Sequence, residues 1–226
     1  MRYLLVLALA CSSIADDEIV AKAKKLSIRE HADLVRKLGL ALGNRLLKPD
    51  PKLAVRLPKG VSVNRILNRG LFGNELGVRG GGAYFSFVRK SNDYNHAPNI
   101  ELQQWKFSSG FAGSDFGLVK FAHVGSLAKV TVENLPDLLK LPANQFYKDG
   151  RDHWRTLWQQ QKQQNAQGPL EPPNPPAEVG RVYVVRSVLW SNADVLAAFQ
   201  VLEKDEFGVT IAWKVLKNFP NPGRRR

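Results

Sequence analysis

The clearest hydrophobic pattern in the chain lies near its C-terminus. Residues 182–190 (VYVVRSVLW) are apolar at nearly every position, as expected of a strand covered on both faces. Val195, Ala197, Phe199 and Val201 then alternate with their neighbours. So do Val209, Ile211, Trp213 and Val215, with Thr210 and Lys214 on the opposite face. Turn-forming residues separate these runs, at Ser191-Asn192-Ala193-Asp194 and at Lys204-Asp205-Glu206-Phe207-Gly208. Two hairpins in series predict an antiparallel meander.

Upstream, the period changes along the chain. Leu34, Leu38, Leu42 and Leu46 recur every four residues, which predicts a helix over 17–47. Ser27-Ile28-Arg29-Glu30 has the form of a capping box, a start signal for its main part. Gly43-Asn44 and then Pro49-Asp50-Pro51 are the stop. A helix with a single apolar stripe must pack on something, and the following sheet is the natural partner. From Val61 and Val63 onward the period moves toward two. Residues 80–88 (GGGAYFSFV) read as a strand entered through glycines, and 91–99 as a turn-rich loop. In residues 100–107 the parity slips, with Ile100 and Leu102 on one phase and Trp105 and Phe107 on the other, which predicts a bulge near Gln103-Gln104. Residues 116–123 and 128–132 read as further strands.

The segment 134–178 breaks the β pattern. Short helices are predicted at 135–141 and at 151–164, followed by a stiff proline-dense connector over 168–176. Seven or eight short strands with regular turns define a mostly β fold: an antiparallel β-sandwich or barrel-like sheet, with an N-terminal helix and a short helical insertion. Residues 51–226 are expected to form one such domain after an N-terminal helical segment at 16–50.

The first fifteen residues read differently from all of this. Met1-Arg2-Tyr3 precedes an uncharged apolar run at 4–10, and Ser13-Ile14-Ala15 places small residues before the acidic Asp16-Asp17-Glu18. That order is the n-region, h-region and cleavage site of a secretory signal, and the run is too short to span a bilayer. Cleavage after Ala15 would discard Cys11, the only cysteine, and with it any disulfide or cysteine nucleophile. Cleavage before Cys11, with a lipid anchor on its sulfur, is the alternative.

Charge sharpens the functional expectation. The chain has a formal net charge of +13, and 44% of its residues are apolar, a globular rather than disordered composition. Residues 16–90 hold 16 Lys and Arg against 7 Asp and Glu, whereas residues 91–178 hold 8 against 9. Such asymmetry suggests a basic face toward a polyanion. For an exported protein, an anionic polysaccharide or cell-envelope polymer is a better partner than nucleic acid.

No motif specifies a reaction. Arg79-Gly80-Gly81-Gly82 could gather backbone amides around an anion, but it leads into a strand and lacks the Lys-Ser/Thr of a phosphate loop. A close backbone approach is the favoured reading of these glycines. Tyr84, Tyr94 and Trp105 could present aromatic faces to a ring-shaped ligand. Glu101 and Asp115 lie in the central sheet region, where a facing carboxylate pair could do acid–base work on a sugar. Asp115-Phe116-Gly117 matches the kinase magnesium tripeptide without any other kinase signature. His31, His96, His123 and His153 show no metal-ligand spacing, and no cofactor or metal site is predicted. The candidate ligand-binding residues are therefore Arg79, Tyr84, Glu101, Trp105 and Asp115.

The run RGGGAYFSF, with IELQQ, FSSGFAGSDFG, VYVVRS and DVLAAFQVLEKD, resembles a group of uncharacterised exported bacterial proteins over most of residues 76–217. The resemblance implies a bacterial origin and one continuous domain, and carries no activity or site residues with it. The expectation is an exported, non-catalytic binding or surface protein. The alternative is a polysaccharide hydrolase working through Glu101 and Asp115.

Overall fold

The computed structural model describes residues 28–55, 57–110, 115–163 and 174–224. The export segment, Cys11 and the helix expected before Ile28 lie outside them. In chain order the elements are α1 (Ile28–Leu46), α2 (Pro51–Val55), β1 (Ser62–Leu67), β2 (Tyr84–Phe85), β3 (Ile100–Gln103), β4 (Lys106–Ser108) and β5 (Phe116–Val124). These are followed by α3 (Ala143–Gln163), β6 (Arg181–Leu189), β7 (Ala193–Lys204) and β8 (Gly208–Asn218). Short 3-10 turns link several of them. The protein is mostly strands in two antiparallel sheets with an N-terminal helix, a sandwich-like β fold with no closed barrel among the described residues. No described helix is long and apolar enough to cross a membrane.

The meander read from residues 182–215 forms the middle of a five-stranded sheet of order β1-β8-β7-β6-β5. Its two-faced apolar pattern has a direct cause, because both faces of this sheet are buried. On one face Tyr183, Val185, Phe199, Ile211 and Trp213 pack against Phe85, Ile100, Leu102 and Phe107 of the smaller sheet β2-β3-β4 and against Phe87 just past β2. On the other, Val182, Val184, Val188, Leu196 and Ala198 pack against Leu127 and Val130 of the turn after β5 and Leu135, Leu139 and Phe146 of the insertion. Asn99, wholly buried, ties the sheets together. Its side-chain Oδ1 accepts from the Phe87 N–H at 2.8 Å and its Nδ2 donates to Ser187 Oγ at 3.2 Å.

Three local expectations are corrected. Residues 100–107 are not one bulged strand but a two-residue hairpin. Gln104 and Trp105 both take left-handed φ (50° and 61°), and Leu102 pairs with Phe107. The parity slip arises because those two side chains sit opposite each other on the same face. Residues 128–132 are not a strand: a 3-10 turn at Leu127–Lys129, capped by Ser126 Oγ on the Ala128 N–H, takes their place. Helix α1 does not lie on a sheet. Gly39 and Gly43 bring it so close to the turn at Asn74–Leu76 that a Cβ on either would sit 1.9 Å and 2.1 Å from the carbonyl oxygens of Glu75 and Leu76. Leu38 stays 38% exposed on its outer side.

The glycine run 80–82 makes the close approach favoured from sequence. All three residues take left-handed φ, and a Cβ on Gly81 would lie 2.1 Å from the Phe72 carbonyl oxygen. The Gly80 N–H donates to Asn74 Oδ1 and the Gly81 N–H to the Val78 carbonyl, so two of the three amides are already committed within the protein.

Candidate functional site

A polar cleft of about 520 Å³ opens where β3, β4, the start of β5 and α3 meet. Glycine makes the room. A Cβ on Gly117 would fall 1.9 Å from Ser109 Oγ, and one on Gly110 would fall 2.5 Å from the Gly117 nitrogen. Gly150 does the same for the helix wall, since a Cβ there would strike the Phe116 ring at 2.6 Å. Helix α3 can therefore lie directly on β5, with Phe146 and Tyr147 packed 5.3 Å and 5.4 Å from the Phe116 ring. Tyr147, Arg151, Trp154 and Arg155 recur at intervals of four, three and one residues, so they share one face of α3 and line the cleft together. Arg69, Glu101, Ser108 and Asp115 line it from the sheet side.

The two carboxylates differ in environment. Glu101 on β3 is 2% exposed. Arg69 Nη1 donates to its Oε1 at 2.6 Å and Ser108 Oγ to its Oε2 at 3.3 Å. The Tyr84 hydroxyl hydrogen-bonds the same carboxylate, and burial together with the Glu101 charge pushes that hydroxyl up to about 12. Tyr84 is thus a fixed donor at any ordinary pH. Asp115 is half-buried, and burial pushes its carboxyl above the usual carboxylate range although the Trp190 N–H hydrogen-bonds the ionised form.

The cations also differ. Arg69 is paired with Glu101, and Arg155 makes a loose exposed pair with Asp152 at 3.4 Å. Arg151 has no carboxylate partner among the described residues. Its Nη1 donates to the Tyr147 hydroxyl at 2.7 Å, and its guanidinium lies 5.3 Å from the centre of that ring. Trp154 beside it is 38% exposed.

Of the residues singled out from sequence, Glu101 and Asp115 line this one cleft. Tyr84 sits behind Glu101 and is only 6% exposed, so it offers no open face to a ring; Tyr94 packs edge-on against it at 4.9 Å. Arg79 stacks at 5.7 Å over Tyr94, outside the cleft. Trp105 stands apart at the tip of the β3–β4 hairpin, where Lys204 Nζ lies 4.7 Å from its ring centre and the Ala177 N–H donates to its carbonyl. The residues not anticipated are Arg69, Tyr147, Arg151, Trp154 and Arg155. Their only sequence signal was the shared helical face of the last four.

The fold and cleft together define a two-sheet β protein with an arginine- and aromatic-walled polar site. No family model, no curated protein and no solved structure matches the chain.

Proposed function

We propose that this is an exported, non-catalytic protein that binds an acidic polysaccharide of the cell envelope or extracellular space, through the cleft between β5 and α3. The observation carrying the reading is Arg151: a guanidinium without a carboxylate partner among the described residues, held near the Tyr147 ring by a hydrogen bond to its hydroxyl and next to the partly exposed Trp154. Arginine presents a planar fork suited to a carboxylate, and aromatic faces suit the apolar side of a sugar ring. The formal charge of +13 adds long-range attraction for such a chain. The protein is expected to be retained on immobilised polygalacturonate at low salt and released as ionic strength rises past about 0.15 M, where screening reaches roughly 8 Å. Absent or salt-independent retention would contradict the reading.

One observation favours hydrolysis as a second reading: Glu101 and Asp115 do line the same cleft. Against it stands the commitment of Glu101, whose buried carboxylate is already held by Arg69, Ser108 and Tyr84. A reducing-end assay on polygalacturonate decides between the two, because binding without release of reducing ends is the expected result.

Asp115 adds a pH signature. Its carboxyl titrates above the ordinary range because burial disfavours the charged form. Above that point it is ionised and repels an anion; as the pH falls through it, the repulsion is lost and anion affinity rises. Asp115→Asn should therefore bind acidic oligosaccharide about three- to tenfold more tightly at neutral pH and lose the wild type's rise in affinity on acidification. An unchanged profile in titration calorimetry would remove Asp115 from the binding site.

A further inference from the structure

Arg69 connects the cleft to a second set of side chains. It pairs with Glu101 inside the cleft, and its guanidinium also lies 5.8 Å from the centre of the Tyr84 ring. Tyr84 contacts Tyr94 edge-on at 4.9 Å, and Arg79 lies 5.7 Å over Tyr94. Each step is short enough for direct contact, so the two guanidiniums flank a pair of rings, the buried Tyr84 and Tyr94, between the cleft and the 79–95 loop region. Arg79 is exposed and, like Arg151, has no carboxylate partner among the described residues. Asn95 Oδ1 accepts from its Nη1 at 3.0 Å and holds the fork over Tyr94. Asp93, the nearest acid in the loop, is committed to the Asn95 and Arg79 backbone N–H groups rather than to a guanidinium.

We infer that the binding surface continues beyond the cleft along Arg69, Tyr94 and Arg79, so that the ligand is an extended chain of acidic sugars with one anionic group at Arg151 and another at Arg79. This rests on the cleft being an anion site at all. A single sugar can reach only the cleft, whereas a longer chain gains the second contact as an intramolecular event.

The test is a length series of galacturonate, its trimer and its hexamer, titrated into the wild-type full chain and into Arg79→Ala and Arg79→Lys. The hexamer should bind wild type about tenfold or more tightly than galacturonate. Arg79→Ala should lose most of that gain while leaving galacturonate affinity unchanged, and Arg79→Lys should recover part of it. Arg79 is exposed, with its guanidinium on Asn95 and Tyr94 of the loop, so circular dichroism should show both variants folded. A hexamer gain that survives Arg79→Ala overturns the inference. A wild type that binds galacturonate and hexamer equally overturns it while leaving the cleft reading intact. If no member of the series binds, the cleft reading itself fails, and the extension with it.

Discussion

Asp194→Ala should lower folding stability by about 3–5 kcal/mol, the cost of leaving a buried guanidinium without its carboxylate. Arg186 on β6 and Asp194 on β7, a diagonal neighbour, form an ion pair with side chains 0% and 1% exposed. Nε and Nη2 of Arg186 donate to the two carboxylate oxygens at 2.8 Å and 2.7 Å. Its Nη1 donates to the carbonyls of Leu139 and Leu141, and the rings of Phe219 and Phe146 lie 3.6 Å and 4.7 Å from the guanidinium carbon. Four of the five N–H donors are used within the protein, so truncating the acid leaves a full charge in a largely apolar surround. The pair also anchors the 139–141 chain immediately before α3, which carries Arg151 and Trp154. Loss of the pair should therefore loosen the cleft wall as well as the core. A double variant, Arg186→Met with Asp194→Leu, should lose less than the single one, because it removes the buried charge and leaves only two carbonyls unpaired. Denaturant midpoints of the three proteins check this.

Gly81→Ala should cost about 2–4 kcal/mol, from a left-handed φ of 62° imposed on a side chain and from a Cβ placed 2.1 Å from the Phe72 carbonyl oxygen. The contribution of contact can be separated from that of conformation. Gly60 also has a left-handed φ, 86°, but nothing lies within 4 Å of its Cβ position. Gly60→Ala should therefore cost only about 1 kcal/mol. Equal losses at the two sites, measured by thermal or denaturant unfolding, would show that the close approach at Gly81 contributes nothing.

The central sheet was legible because its strands are long, apolar on both faces and separated by turn residues, as in β6–β8. The β3–β4 hairpin was not. Its turn is Gln104-Trp105, and neither residue is the Asn or Gly that normally marks a turn with two positive φ values. The leucine repeat of α1 points to a side-chain stripe, whereas its contact with the Asn74–Leu76 turn is made where Gly39 and Gly43 leave the backbone bare. The cleft was half legible. Glu101 and Asp115 could be named as strand-edge acids, yet Arg69, which pairs with Glu101, lies 32 residues before it, and Arg151, which shares the cleft with Asp115, lies 36 residues after it. Only the fold brings them together. The Asp115-Phe116-Gly117 tripeptide, meaningless as a kinase signature, turns out to supply an acid, a ring and an empty Cβ position to the cleft.

The charge asymmetry of the chain suggests an anionic partner, yet of the basic stretch 16–90 only Arg69 lines the cleft, and Arg151 and Arg155 come from the near-neutral stretch 91–178. The account turns on Arg151. Isothermal titration of galacturonate trimer into wild type and Arg151→Ala, with a neutral maltotriose control, is the most direct test. The account predicts measurable binding of the acidic trimer, none of the neutral one, and an affinity lower by about tenfold or more in Arg151→Ala, the size of a lost charged hydrogen bond. Equal binding by both proteins, or equal binding of the acidic and neutral sugars, would contradict it.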